Sequence, residues 1–180
     1  VAPVRERQIP LHIRSTFAPD APGTRIGFDA PASLSASGVI GFAGRRPVSM
    51  LRVIFPENTE ETALWEVRAC LNEHRIETFH SACGVEGLCL LLSSGAEADA
   101  LHAAAEQLRE RFPDAKVKLR ENLAVLLALC RSTKDIPKLS AAIEASGAPV
   151  HHLVQTPPGA MFCVNDSQYE TALRSASVSK

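Results

Sequence analysis

Hydrophobic and polar residues follow two different periods along the chain, and the periods alternate in a regular order. Residues 48–55 combine β-branched and large apolar side chains and end at Pro56, which predicts a strand. An amphipathic helix is predicted next, with Asn58 as its N-cap and Glu61 completing a capping box. The remaining elements of this first unit are predicted as strands over 75–81 and 87–92, a helix over 96–111 and a strand over 115–119.

The order strand, helix, strand, strand, helix then occurs a second time. This second copy is predicted to contain a strand over 123–130, a helix over 135–145, strands over 150–155 and 160–164, and a helix over 166–176. Repetition at a period of roughly 75 residues indicates an internal duplication. Each copy is typical of an α+β, ferredoxin-like βαββαβ unit with its helices on one face of an antiparallel sheet.

The two copies differ in their last strand. The first copy has its own fourth strand at 115–119, whereas the second copy ends in a helix. A short apolar strand at 38–42 precedes the first copy, and residues 43–46 connect the two. If this strand completes the second sheet, the first domain is inserted in the second. The predicted domains are a leading segment with a linker over 1–36, a first domain over 46–120, and a second domain made of 37–45 plus 121–180.

Composition narrows the class of protein. With 46% hydrophobic residues the 180-residue chain can form a packed core, and a net charge of -1 gives no general attraction to nucleic acid or to an anionic membrane. No apolar run reaches the length of a transmembrane helix. Five cysteines, an odd number, lie among apolar neighbours in helix and strand patterns, which favours reduced thiols and a cytoplasmic protein.

A resemblance to a known family begins in the leading segment. Residues 9–26 read I-P-L-H-I-R-S-T-F-A-P-D-A-P-G-T-R-I, which resembles the segment that ends the catalytic domain of aspartate kinases, with Phe17, Pro19, Pro22 and Gly23 in register. Residues 38–43 are similar to the linker strand of that family. The resemblance implies the C-terminal regulatory region of such a kinase, with tandem ACT domains, the first inserted in the second, that pair into a homodimer.

The parent enzymes of that family use ATP and Mg²⁺ to phosphorylate the side-chain carboxylate of aspartate, at the start of lysine, threonine and methionine biosynthesis. This sequence contains no glycine-rich phosphate loop with a lysine. The chain begins at Val1 within a polar segment, which favours a piece of a longer protein. We therefore expect no catalytic residue and no cofactor in this piece, although the parent protein is expected to be a kinase.

The resemblance also implies a site for an inhibitory amino acid, lysine or threonine. The loop after the first strand, the helix start and the end of the second strand would form it, because free N–H groups at a helix N-terminus attract a carboxylate. The implied effector-binding residues are Phe55, Glu57, Asn58, Thr59, Glu60, His80 and Ser81. Thr59 and Glu60 stand where the family has Pro-Gly, whereas Glu57 keeps an acid near the position of the family's aspartate.

Several alternatives remain open. Helix capping alone explains Glu57, Asn58 and Glu61 equally well. The altered loop also fits a structural dimerisation module whose effector pocket has decayed. A free-standing enzyme is disfavoured, because no catalytic constellation is evident in the sequence. Metal ligation is disfavoured too, since the spacings of the histidines and cysteines match no zinc pattern. The residues considered for a metal are His80, Cys83, Cys89, His151, His152 and Cys163.

Overall fold

The chain divides into two compact units, Val1–Gly38 and Val39–Lys180. The computed structural model describes residues 2–27, 38–56, 62–84, 87–93, 95, 97–156 and 159–178. In the smaller unit a short helix, α1 (Ala2–Glu6), precedes an antiparallel hairpin of β1 (Leu11–Ile13) and β2 (Thr24–Ile26). Gly23 has a positive φ of 64°, which suits the turn that leads into β2.

The larger unit holds both of the predicted copies. Its elements are β3 (Val39–Ile54), α2 (Thr62–Glu73), β4 (Thr78–Gly84), β5 (Gly87–Ser93), α3 (Ala98–Arg111), β6 (Lys116–Cys130), α4 (Ile136–Ala145), β7 (His152–Thr156), β8 (Gly159–Asn165) and α5 (Tyr169–Val178). The strand predicted to begin at residue 75 begins three residues later, because Arg75 adopts a left-handed φ of 56° in the turn after α2. Short 3₁₀ turns, Thr133–Asp135 and Asp166–Gln168, lead into α4 and α5.

Within the described residues, the larger unit has one antiparallel sheet in the order β4-β5-β3-β6-β8-β7. Residues 48–54 of β3 pair with β5 on one side, and residues 50–54 pair with residues 116–120 of β6 on the other. Residues 39–45 of β3 pair with residues 125–130 of β6, which pair in turn with β8. Each half therefore has the strand order of a ferredoxin-like unit. The predicted fold class is confirmed, including the insertion of the first ferredoxin-like half in the second. The exact domain boundaries stay a prediction.

The connection between the two halves differs from the prediction. Residues 43–46, expected to be a link, are part of a continuous strand, with Ala43 opposite Leu127 and Gly44 opposite Leu126. Register shifts follow between Arg45 and Val48. These residues form a strand because their backbone N–H and C=O groups find hydrogen-bond partners in β6. Both halves are thus built on the same two long strands.

Each half has a hydrophobic core between its sheet and its pair of helices. In the first half, α2 and α3 cover residues that include Leu51, Val53, Leu88, Leu90 and Leu92. In the second half, α4 and α5 cover residues that include Leu126, Ala128, Phe162 and Val164. Alternate residues of each strand point to one face, which explains why every second position of these strands contributes to these cores. Among the described helices, none has both the length and the apolar character needed to cross a membrane.

A third core lies on the faces of the sheet that the helices leave uncovered. Val48, Met50, Cys89 and Leu91 of the first half form one buried cluster with Leu123, Val125 and Cys163 of the second. These residues alternate with those that face the helices, so they lie on the opposite side of their strands. The helix-free faces of the two halves therefore pack against each other, and we call this group the central cluster.

Candidate effector site

Phe55, the first of the implied effector-binding residues, lies directly after β3. Its ring packs edge-to-face on Phe112 with a centroid separation of 5.3 Å, and both rings border the core of the first half. A cavity of about 240 Å³ lies beside this pair. It is lined by Phe55, Pro56, Arg111, Phe112, Pro113, Asp114 and Ala115, and we call it the Phe55 cavity. The loop expected to bind an effector thus starts at a cavity.

Two side chains of opposite charge line the Phe55 cavity. Arg111 is the last residue of α3, and Asp114 lies in the turn that leads to β6. Neither forms a salt bridge with another residue in the described ranges. A free amino acid carries a carboxylate and an ammonium group, so this pair offers a partner for each. Neither residue was predicted to belong to the site, because nothing local in the sequence links them to the loop after Phe55.

Four of the implied residues, Glu57, Asn58, Thr59 and Glu60, lie outside the described residues. They belong to the stretch between Pro56 and the start of α2. Their part in effector binding stays a prediction.

The last two implied residues, His80 and Ser81, point to opposite faces of β4. The Ser81 hydroxyl lies on the helix side, where it accepts a hydrogen bond of 2.8 Å from Nη2 of Arg68 in α2. His80 lies on the helix-free side, where its ring centroid is 6.4 Å from that of His152 in β7. The structure therefore places Ser81 on the same side of the sheet as Phe55 and separates His80 from both.

His80 instead lies near a second region, a cleft on the helix-free side that His152 lines. This cleft has a volume of about 450 Å³. Its lining consists of Arg52, Ile54, Ala82, Cys83, Gly84, Gly87, Leu88, Cys89 and His152, and we call it the central cleft. From the sequence, His152 and the two cysteines are candidates only for metal ligation, and Arg52 was not predicted to belong to a site. The signal for Arg52 was its single charge within the apolar run 48–55.

Burial sets the ionisation of the groups around the central cleft. It lowers the pKa of His80, and it lowers the pKa of His152 together with smaller effects of His80 and Arg52. Burial also raises the pKa of the Cys163 thiol to about 12, helped by the neighbouring Cys89. Both histidines are thus favoured in the neutral form. Among the residues that the structure describes, no group of three or more histidine, cysteine or acidic side chains is arranged to hold a metal ion.

The fold defines a class of protein with two ferredoxin-like halves, one inserted in the other. Among solved structures with this fold is the aspartate kinase of Clostridium acetobutylicum, described as an allosteric enzyme, with a TM-score of 0.76 and 17% identity over 99% of this chain. The regulatory subunit of aspartate kinase from Thermus flavus superimposes with a TM-score of 0.65 and 17% identity over 79% of this chain. Aspartokinase III of E. coli, solved in complex with lysine and aspartate, gives a TM-score of 0.69 and 17% identity over 98% of this chain.

The matches differ in how much of the other protein they include. This chain spans 43% of the Clostridium enzyme and 40% of the E. coli enzyme, but 99% of the Thermus flavus regulatory subunit. No family model matches the sequence, and a search of curated proteins gave no match. The expected resemblance to the regulatory region of aspartate kinases is confirmed in the fold.

Proposed function

We propose that this chain is the regulatory part of an aspartate kinase and that it binds a free amino acid at the Phe55 cavity. The observation that carries the proposal is the match of 79% of the chain to the fold of a regulatory subunit, joined to a cavity at the point where the predicted effector loop begins. The parent protein would transfer the terminal phosphate of ATP, bound with Mg²⁺, to the side-chain carboxylate of aspartate. Those sites would belong to a catalytic domain.

Charge and shape at the Phe55 cavity support an amino-acid ligand. Arg111 offers a fork of N–H donors to the α-carboxylate, and the Asp114 carboxylate offers an acceptor for the ammonium group. Phe55 and Phe112 supply an apolar wall for a side chain. Lysine and threonine are the expected effectors, and the E. coli enzyme with this fold was solved with lysine. Glu57 would add an acid to the same site.

Binding at this position would reach the rest of the molecule through α2 and α3. The Phe55–Phe112 contact joins the end of β3 to the residue that follows α3. A ligand that binds one arrangement of this contact more tightly than another shifts the population of the two arrangements. Pairing of two copies through exposed sheet edges, as in the expected homodimer, would pass that shift to the partner subunit.

Calorimetric titration with lysine, threonine and methionine tests the proposal. We expect saturable binding of one of them, weakened at least about tenfold by Arg111→Gln and by Asp114→Asn, since each removes a charge-assisted hydrogen bond. Glu57→Ala tests the loop in the same way. Glu110→Gln, which removes an exposed charge from α3, is the control and should bind as the unaltered chain does.

A structural dimerisation module is the alternative. Trp65 of α2 favours it, because 68% of this large aromatic residue is exposed in the single chain. If none of the three amino acids binds while sedimentation shows a dimer that Trp65→Ala disrupts, assembly is the better account.

A further inference from the structure

The helix-free face of the first half carries an uncompensated positive charge. Arg52 of β3 lies directly opposite Lys118 of β6, and Lys116 and Arg120 occupy the positions two residues to either side of Lys118. Residues two apart on a strand share a face. In the described residues of β4, β5 and the paired parts of β3 and β6, that face bears no acidic side chain. The four basic side chains therefore have no carboxylate beside them there.

Such a pairing is unfavourable unless something offsets it. Side chains directly opposite each other in an antiparallel pair have Cβ atoms roughly 4.5–5.5 Å apart, and like charges at that distance destabilise the sheet. Arg52 forms no salt bridge with any residue in the described ranges. Arg52 and Lys118 are both exposed, so water screens part of the repulsion, and a bound anion would neutralise what remains.

The central cleft lies beside this basic face, and a residue with an unsatisfied polar atom lines it. Arg52 and His152 both line it. Nε2 of His152 and Nε2 of His80 are buried without a hydrogen-bond partner among the described residues. A buried polar nitrogen without a partner is costly, so a ligand that bonds to it is favoured. Two independent observations thus meet at one cleft, the Arg52 guanidinium with no described carboxylate beside it and the His152 imidazole nitrogen without a partner.

We propose that the central cleft binds a small oxyanion, a phosphate or carboxylate group, held by the Arg52 guanidinium and the His152 imidazole. The planar guanidinium can donate two parallel hydrogen bonds to such a group, and Nε2–H of His152 can donate a third. Lys118 contributes charge from the neighbouring strand. The described lining offers a guanidinium and an imidazole as hydrogen-bond donors, and the group that these two side chains fit is an oxyanion.

This site is distinct from the Phe55 cavity, and the inference does not rest on the proposed function. Arg52 and Ile54 line the central cleft, whereas Phe55 borders the core under α2 and α3 on the other face of β3. The two sites can therefore be tested one at a time in the same chain.

Proton uptake should accompany binding of the anion. In the described part of the chain, the groups that face His152 are Arg52 of β3, His80 of β4, Cys89 of β5 and Cys163 of β8, and Arg120 of β6 contacts the adjacent His151. None of them is an acid, so the surroundings disfavour the imidazolium. An anion in the cleft stabilises the protonated imidazole of His152. The affinity for the anion should therefore increase as the pH falls.

The test is a calorimetric titration of the full chain with sulfate and with succinate, at pH 6 and pH 8 and low ionic strength. Sulfate stands for a phosphate group and keeps its charge across this range, whereas succinate presents carboxylates. We expect saturable binding of at least one of them, tighter at pH 6. Binding of sulfate alone would assign the site to phosphate groups, and binding of succinate alone would assign it to carboxylates.

Substitutions distinguish binding at the central cleft from general attraction of anions to positive charges on the surface. Arg52→Gln and His152→Gln should each weaken binding at least about tenfold, the loss of one charge-assisted hydrogen bond. Lys138→Gln removes an exposed charge from α4 and should leave binding unchanged. Equal weakening by Lys138→Gln, no effect of Arg52→Gln, or no saturable binding of either anion would overturn the proposal.

Stability provides a second check on the same site. Arg52→Gln relieves a like-charge pair, so without added anion its melting temperature should equal or exceed that of the unaltered chain. Sulfate or succinate should raise the melting temperature of the unaltered chain and not that of Arg52→Gln. If Arg52→Gln melts much lower without anion, Arg52 is a structural residue and the proposal fails.

Discussion

The imidazole rings of His80 and His152 lie 6.4 Å apart, although their strands, β4 and β7, stand at opposite ends of the sheet order. The two ends meet because the halves pack through their helix-free faces. The central cluster, with Met50 and Leu91 from one half and Leu123 and Cys163 from the other, fills the space between them. The two histidines, one from each half, therefore come together only because the halves pack against each other.

We predict that the stability of the fold falls as the pH falls through the range of these histidines. Burial lowers the pKa of both below the usual value of 6.5, so the folded state binds fewer protons than the unfolded state between the two values. The stabilising contribution is complete above about pH 6.5 and is lost progressively below it. Urea unfolding at a series of pH values, without oxyanions in the buffer, measures this.

The histidine origin of that pH dependence can be tested by substitution. His80→Gln and His152→Gln should each flatten the fall in stability between pH 7 and pH 5, because glutamine does not titrate. His12→Gln in the smaller unit is the control and should keep the slope. An unchanged slope in both of the first two variants would show that the histidines do not govern acid stability.

Phe162 should be among the residues on which the second half depends most. Its side chain in β8 is fully buried in the core under α4 and α5. Phe162→Ala should lower the free energy of unfolding by about 3–5 kcal/mol, through lost burial and the cavity that remains. Val178→Ala, at an 84% exposed position of α5, should change it by no more than about 0.5 kcal/mol. Similar losses for the two variants in urea unfolding would contradict the assigned packing.

Two glycines of the second half should respond differently to the same added methyl group. A Cβ at Gly159 would overlap the backbone oxygen of Ala128, whereas a Cβ at Gly41 meets no atom within 4 Å. Gly159→Ala should therefore cost about 1–3 kcal/mol, because backbone cannot move aside as easily as a side chain. Gly41→Ala should be neutral or stabilising by up to about 1 kcal/mol, since it reduces the freedom of the unfolded chain. Thermal unfolding of both variants measures the two changes in stability. Equal changes would contradict the close approach of β8 to the backbone of Ala128.

Thiol reactivity should separate Cys83 from the other cysteines. Cys83 is exposed, whereas Cys70, Cys89, Cys130 and Cys163 are buried, and burial raises the pKa of each buried thiol. The thiolate is the reactive form, so at pH 8 only Cys83 should react rapidly with a disulfide reagent. All five should react after unfolding in urea. Cys83→Ser should abolish the rapid reaction with the reagent. A thiol that still reacts rapidly in that variant would contradict the burial of the other four cysteines.

Much of the fold could be predicted from the sequence, because its elements are specified locally. The apolar run of β3 before Pro56, the amphipathic α2 and the repeated order of elements define strand and helix by period alone. The missing last strand of the second copy even indicated the insertion of one half in the other. The continuity of β3 was not predicted, because whether residues 43–46 form a loop or a ladder depends on a partner strand far along the chain.

The candidate site was predictable only in part, and β4 shows why. A register shift between Thr78 and His80 places His80 opposite Leu91, whose side chain faces the central cluster. Without that shift His80 would lie opposite Leu90 and face the helices, on the same side of the sheet as Phe55, with which it was predicted to share a site. A β-bulge moves every residue after it to the opposite face of the sheet. The sequence of residues 78–81 contains no feature that predicts a bulge.

The sequence by itself determined the kind and order of the elements and the end of the strand at Pro56, since both follow from local periodicity and chain breaks. Only the tertiary structure decided which faces meet. The approach of Arg52 to His152, and of Arg111 and Asp114 to Phe55, depends on strand register and on the packing of two sheet faces. Those are set by contacts between residues far apart in the chain, which no local pattern specifies.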